Sequence, residues 1–359
     1  QGITPEHNLL TLSAHPTIQY DTLSLDIGST PDLSIPGLKE FAQAVKPIDL
    51  FYPRYLACIR RCRSSLASGL NTQKFSIAIV GGGAGGVEVA LAMAKALSDL
   101  KNRVSISLAI RGNTALPSYS PVISKACTSA LKLAGITIQF NFEVSHVENN
   151  TVHTKDGLQI YADEIFFCTQ AKAATWPQES GLVCDQNGFI KVNEYLQSLS
   201  NSNIFAAGDI AAMQHTPRPK AGVYAVRQAP ILLENLKSHL LSQPLEAFVP
   251  QDSFMSLISL GSKTALLSRN SVSITHPLFQ PILWRLKNSI DQKFMSQFQH
   301  LPDRQMEADT SINPGLIDQG ELTQIENHAI RCAGCGSKVG GSLLRKVLPK
   351  VTGNSQFSP

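Results

Sequence analysis

Three groups of residues in this 359-residue chain have the types and spacing to do chemistry. The first is Gly81-x-Gly83-x-x-Gly86, a pattern that can cradle an anion. Glycine allows the tight turn, the close approach of backbone to a pyrophosphate and the packing of a helix on the preceding strand, while the helix start offers unpaired N–H groups. The second is Ile204-Phe-Ala-Ala-Gly-Asp209, an apolar run halted by Gly208 and by a carboxylate able to accept hydrogen bonds from sugar-alcohol hydroxyls. The third is Cys335-Gly-Ser-Lys338, in which a cation three residues past a thiol favours the nucleophilic thiolate. Cys332, Cys335 and His328 supply three zinc ligands without a fourth, so no metal site is expected.

Each group needs elements that hold it in place. The apolar run 75–80 (FSIAIV) before the glycines and the helix-like VEVALAMAKALSDL after them read as strand, turn and helix. In that context the glycine pattern is a dinucleotide-binding fingerprint. Residues 104–110 form a second strand, 124–133 a helix and 136–142 a third strand. A hairpin about Asp156-Gly157 and a buried strand over 164–168 complete the nucleotide-binding unit. Residues 203–207 read as a buried strand and 220–241 as a long helix opened by Arg218-Pro219. They are expected to share a layer with the extended run 17–29, which Gly28-Ser-Thr-Pro31 closes. Arg111 ends the second strand, where an acid would read ribose hydroxyls. An arginine there either accepts a 2′-phosphate or is a solvated strand end, so NADH and NADPH both stay open.

Composition narrows the classes. Hydrophobic residues at 43% and charged residues at 16% are those of a globular protein, and a net charge of +4 over this length argues against a nucleic-acid binder. Seven scattered cysteines are unlike a secreted disulfide framework, and a reducing, cytoplasmic location is expected. The stripe of Trp284, Phe294 and Met295 is ordinary core, or else a membrane or dimer surface; a soluble protein is expected, with a homodimer left open. Residues 301–327 carry six acids and one base, whereas 329–350 carry five bases and no acid, a change that marks a linker.

Taken together, Gly81 to Gly86 and Ile204 to Asp209 resemble the two-dinucleotide-binding-domain flavoprotein reductases. Pro219-Lys-Ala-Gly-Val-Tyr-Ala-Val-Arg-Gln-Ala-Pro230, Trp284-Arg-Leu-Lys287 and Ile290-Asp-Gln-Lys-Phe-Met295 resemble the type II NADH dehydrogenase branch. The implied fold is α/β, a Rossmann-like NAD(P) domain inserted in an incomplete FAD domain, with a C-terminal α+β extension. The resemblance implies FAD and NAD(P)H as cofactors, with Gly28, Gly208, Asp209, Ala221 and Gln228 beside the flavin, Gly81, Gly83, Gly86 and Arg111 on the nicotinamide dinucleotide, and Glu88 near the reacting rings. Ala225-x-x-Gln228 matches the branch's quinone-side motif, and the acceptor is expected to be a small molecule, a quinone among the candidates. The family's own FAD-binding glycine loop does not precede residue 75, so the chain is expected to be a fragment.

Cys332-Ala-Gly-Cys-Gly-Ser-Lys338 resembles the N-terminal active-site loop of selenide, water dikinase, which implies Cys335 as nucleophile and Lys338 as its lysine, with ATP and Mg used by a body beyond the chain. The expected organisation is 1–70 and 173–245 for the FAD layer, 71–172 for the NAD(P) domain, 246–300 for a reductase subdomain, 301–327 for the linker and 328–359 for the start of the dikinase. The expected activity is an FAD-dependent NAD(P)H oxidoreductase. The alternative is a nucleotide-binding regulatory domain of the dikinase.

Overall fold

A strand whose residues are apolar on both faces must be covered on both faces, and Glu164-Ile-Phe-Phe167 is such a strand. In the computed structural model, which describes residues 2–13, 15–67, 74–168 and 171–299, all four of its residues are buried. Its phenylalanines alternate sides. Phe166 joins a cluster with residues of the helices on one face, and Phe167 joins a cluster with Val147, Val152 and Ile160 on the other. Burying each ring contributes roughly 1.5–3 kcal/mol.

In chain order the main elements are β1 (Leu23–Leu25), β2 (Gln43–Ala44), α1 (Ile48–Ala67), β3 (Phe75–Val80), α2 (Ala84–Ala96), β4 (Val104–Ala109) and α3 (Pro121–Leu133). They continue as β5 (Thr137–Gln139), β6 (Val144–Glu148), β7 (Thr151–Thr154), β8 (Gln159–Tyr161), β9 (Glu164–Phe167), β10 (Ile190–Val192), β11 (Ile204–Ala206) and β12 (Ala211–Met213). Last come α4 (Gly222–Leu240), β13 (Ser256–Ser259), β14 (Ala265–Arg269), β15 (Val272–Ile274) and α5 (Gln280–Gln299). The principal sheet is parallel, in the order β2-β9-β3-β4-β5. The antiparallel meander β6-β7-β8 covers one face of it, and α1, α2 and α3 cover the other.

A second layer forms where β11 pairs in parallel with β1, Ile204 opposite Leu23, although 180 residues separate them. The two crossings between the layers, Thr30–Pro31 and Ala171–Lys172, pair antiparallel. The mixed α/β fold, with a parallel-sheet unit inserted between the two strands of a second layer, is therefore as expected from the sequence. Several boundaries shift, the extended run 17–29 being strand only at Ile18–Gln19 and Leu23–Leu25, and two of the shifts have a local cause. The helix expected from residue 124 starts at Pro121, because the Ser120 side chain caps it by accepting from the Ile123 N–H at 3.4 Å. The third strand stops at Gln139, since Asn141 turns the chain at φ 55°.

The chain divides into one unit over Gln1–Arg285 and another over Leu286–Pro359. In the first, the antiparallel sheet β13-β14-β15 packs on α2, where a side chain at Gly261 (φ +78°) would come within 2.5 Å of the Leu91 carbonyl. In the second, residues 286–299 are described, and Phe294 and Met295 are 40% and 51% exposed, not the core that their stripe suggested. Among the described residues no helix is long and apolar enough to cross a membrane. Cys332, Cys335 and Lys338 lie outside the described residues.

Candidate functional site

The glycine loop connects β3 to α2, and each of its three fingerprint glycines answers a different steric demand. Gly81 adopts φ +128°, and a side chain there would stand 2.4 Å from the Cys168 carbonyl. At Gly86 a side chain would meet the Gly81 carbonyl at 1.9 Å, so only glycine lets α2 close on the turn. At Gly83 nothing lies within 4 Å of an added Cβ. The space over Gly83, at the N-terminal end of α2, is therefore open to a ligand, and no side chain caps that helix. A diphosphate there would meet free N–H groups and the positive end of the helix dipole. Arg111 is exposed just past the C-terminal end of β4, an internal strand of the sheet.

Glu88 sits one turn into α2 and is half-buried. Its Oε1 accepts the Ser259 N–H of β13 at 2.8 Å, a partner 171 residues away that no local pattern anticipates.

The second site lies at the C-terminal end of β11. There the chain enters a 3-10 turn, Gly208–Ile210, with Gly208 at φ +69°, and a side chain on Gly208 would touch Asp26 Oδ1 at 2.5 Å. The Gly208 N–H donates to Gln228 Oε1 at 2.7 Å. Gln228 is 3% exposed on α4, so this bond ties the start of the helix to the strand end and satisfies a buried amide. Ala221 is the N-cap of α4 and, together with Gly208, Asp209 and Gln228, lines a cleft of about 800 Å3. Gly28 lies between β1 and Thr30 at φ +70° with nothing within 4 Å of an added Cβ.

Asp209 has partners that sequence reasoning missed. Its Oδ2 accepts the Ser29 hydroxyl at 2.8 Å and Lys46 Nζ at 3.1 Å, and Lys46 also donates to Ser29 Oγ at 3.0 Å. Ser29 belongs to the Gly28–Pro31 segment already singled out, whereas Lys46 carried no signal in the sequence. A second missed cation, Lys220, lines the cleft, donates to the Ala211 carbonyl at 2.7 Å and rests 3.9 Å above the Phe189 ring. Burial holds its pKa below the ordinary lysine value, against the pull of Asp185 and Asp209. The cleft thus presents a carboxylate, a cation and the N-terminal end of a 19-residue helix to one volume, a set suited to a ligand with both hydroxyl and anionic parts.

Cys58 and Cys62 face the sheet from α1 and are fully buried, which withdraws them from redox work at either site. Burial pushes the Cys58 thiol up to about 12 and the Cys62 thiol up to about 11.

The family model for pyridine nucleotide-disulphide oxidoreductases matches residues 3–229. The type II NADH:quinone oxidoreductase of Haemophilus influenzae is 31% identical over 225 residues, which cover 58% of this chain and 50% of that protein. The demethylphylloquinone reductase NdbB of Synechocystis is 25% identical over 270 residues, 73% of this chain and 64% of that one. The chain thus spans about half the length of the first of these relatives and under two thirds of the second. Among solved structures, NDH2 from Plasmodium falciparum in complex with NADH superposes with a TM-score of 0.69 at 17% identity, covering 80% of this chain and 78% of that one.

Proposed function

The chain belongs to the pyridine nucleotide-disulphide oxidoreductase family, and on that premise we propose that it binds NAD(P)H on the Gly81–Gly86 loop and FAD in the cleft at Asp209, and passes reducing equivalents to a quinone-class acceptor. The observation that carries this reading is the division of labour in the loop. Gly81 and Gly86 are closed off by the protein's own backbone, while Gly83 is left open beside an uncapped helix start. FAD, when bound, supplies the two-electron carrier between nicotinamide and acceptor. The residues of the chain bind and orient. The N–H groups of α2 hold the pyrophosphate, Asp209 accepts from ribityl hydroxyls in exchange for Ser29, and α4 aims its positive end into the cleft. Gln228, held by Gly208, fixes the helix that carries Ala221 and Ala225. Glu88 stays on the nicotinamide side, anchored by Ser259.

The relatives' printed activities support the choice of acceptor class, since two of them act on quinones by name. The regulatory reading keeps one observation in its favour. Asp209 Oδ2 is already engaged by Lys46 and Ser29, an arrangement that holds the cleft together without flavin. The experiment is to titrate the purified chain with FAD, then add NADH under argon. A yellow complex bleached by NADH and reoxidised by a soluble quinone supports the reductase. NADH binding without flavin uptake or bleaching replaces it with the regulatory module.

For residues 328–359 we further propose the opening loop of a selenide, water dikinase, with Cys335 as nucleophile and Lys338 as the cation that favours its thiolate. The support is the Cys-Gly-Ser-Lys spacing alone. Selenide-dependent ATP hydrolysis by the extended protein, lost in Cys335→Ser while NADH oxidation persists, is the test.

A further inference from the structure

We propose that the outer face of the β6-β7-β8 meander is a binding site for a divalent transition metal of the zinc class, with His146, Glu148 and His153 as its protein ligands. One ligand atom from each of the three side chains lies within 4.8 Å of the other two.

Register brings them together. His146 and His153 are directly opposed across the antiparallel β6-β7 pair, and Glu148 lies two residues along β6, on the same face. The intervening Val147 and its partner Val152 point the other way, into the core. A bulge between Val144 and His146 sets this phase, because without the extra residue the histidine would face inward.

The hydrogen bonds leave nitrogen lone pairs free. Ser145 in the bulge donates its hydroxyl to the His153 carbonyl at 3.1 Å, and its Oγ lies 3.0 Å from His146 Nδ1. A hydroxyl proton given to that carbonyl leaves Oγ to accept from the His146 Nδ1–H, the neutral tautomer in which Nε2 keeps its lone pair. Metal-bound histidines use this arrangement, with one nitrogen on the metal and the other held by a fixed partner. His153 Nε2 is buried without a hydrogen-bond partner and stands 3.9 Å from Glu148 Oε1, too long for a hydrogen bond. A buried nitrogen left unsatisfied beside a carboxylate can be satisfied by a cation between them.

The two imidazoles are stacked, with centroids 4.4 Å apart and planes 3° from parallel. A metal must lie near the plane of each ring that binds it, so binding requires the His153 ring to swing away from the stack while Ser145 holds His146. Ligand atoms must close to roughly 3.3 Å apart, the separation set by metal–nitrogen bonds of about 2.05 Å at a tetrahedral angle. Rotations about χ1 and χ2 at a strand surface supply such a movement without disturbing the ladder. Two imidazoles and one carboxylate suit Zn2+ or its neighbours in the first transition row, and leave a fourth position for water. Mg2+, which prefers oxygen ligands, does not fit.

The test is a titration of the whole chain with Co2+ and Zn2+, free of nucleotide, in a Cys332→Ser/Cys335→Ser background that removes the CxxC thiols. One equivalent should bind, with Co2+ absorption bands free of sulfur-to-metal charge transfer. Glu148→Gln keeps the exposed side chain's shape and should weaken binding on the order of 100-fold, as should His153→Ala, and Ser145→Ala should weaken it 10–100-fold. Millimolar Mg2+ should not compete. Absence of a stoichiometric site in the Cys332→Ser/Cys335→Ser background, or unchanged affinity in Glu148→Gln and His153→Ala with the circular dichroism spectrum retained, would overturn the proposal.

Discussion

Lys46 and Asp209, 163 residues apart, form an ion pair at 3.1 Å in which Ser29 bonds to both. One partner follows β2 of the principal sheet and the other follows β11 of the second layer, so the pair joins the two layers beside the cleft. The Lys46 side chain is 53% exposed, which limits the pair to about 1 kcal/mol or less. Lys46→Met should therefore lower the melting temperature by a few degrees at most. Asp209→Ala, by contrast, should weaken FAD binding roughly tenfold or more, through loss of a charge-assisted hydrogen bond. Flavin fluorescence quenching and a thermal melt on both variants separate the two effects, and equal loss of FAD affinity in both would contradict the assignment of Asp209.

Gly83 and Gly86 should fail in different ways. Gly83→Val places its side chain in open space over the helix start and should abolish NADH binding with the fold intact. Gly86→Ala drives a methyl group against the Gly81 carbonyl and should destabilise the fold by roughly 1–3 kcal/mol or more. Calorimetric NADH titration paired with thermal denaturation distinguishes them.

Arg111→Asp should shift preference from NADPH toward NADH by about tenfold or more if the exposed guanidinium meets a 2′-phosphate. Dissociation constants for both nucleotides give the ratio, and an unchanged ratio makes Arg111 a solvated strand end.

Alkaline pH should destabilise the chain through the buried Cys58, Cys62 and Cys127 and the half-buried Cys168. Burial pushes Cys58, Cys127 and Cys168 from 9.0 up to about 12, and Cys62 up to about 11. Below pH 9 both states keep these protons. Above it the unfolded chain releases them and the folded chain does not, so stability falls as pH rises from 9, toward 11 for Cys62 and toward 12 for the other three, by at most about 1.4 kcal/mol per pH unit for each thiol. Urea denaturation between pH 8 and 11 should show this slope, and Cys127→Ala should flatten it. The same burial predicts that limiting iodoacetamide at neutral pH modifies these four thiols after Cys335.

What could be read from the chain itself was local. The glycine loop was legible because strand, turn and helix each have a short-range signature, and the three glycines occupy positions that the backbone geometry dictates at Gly81 and Gly86. Asp209 was legible because an apolar run ending in Gly-Asp is a local pattern. Phe166 and Phe167 announced a strand covered on both sides for the same reason. Tertiary structure alone decided the partners. Ser259 reaches Glu88 across 171 residues, Lys46 reaches Asp209 across 163, and Arg61 and Gln43 satisfy the buried Glu164 from 103 and 121 residues away. No periodicity encodes such pairs, since each depends on the path of the chain between layers. The histidines show the limit most plainly. His146, Glu148 and His153 sit within eight residues in the sequence, yet whether they share a face rests on one bulge, and a shift of a single residue in register would turn His146 into the core.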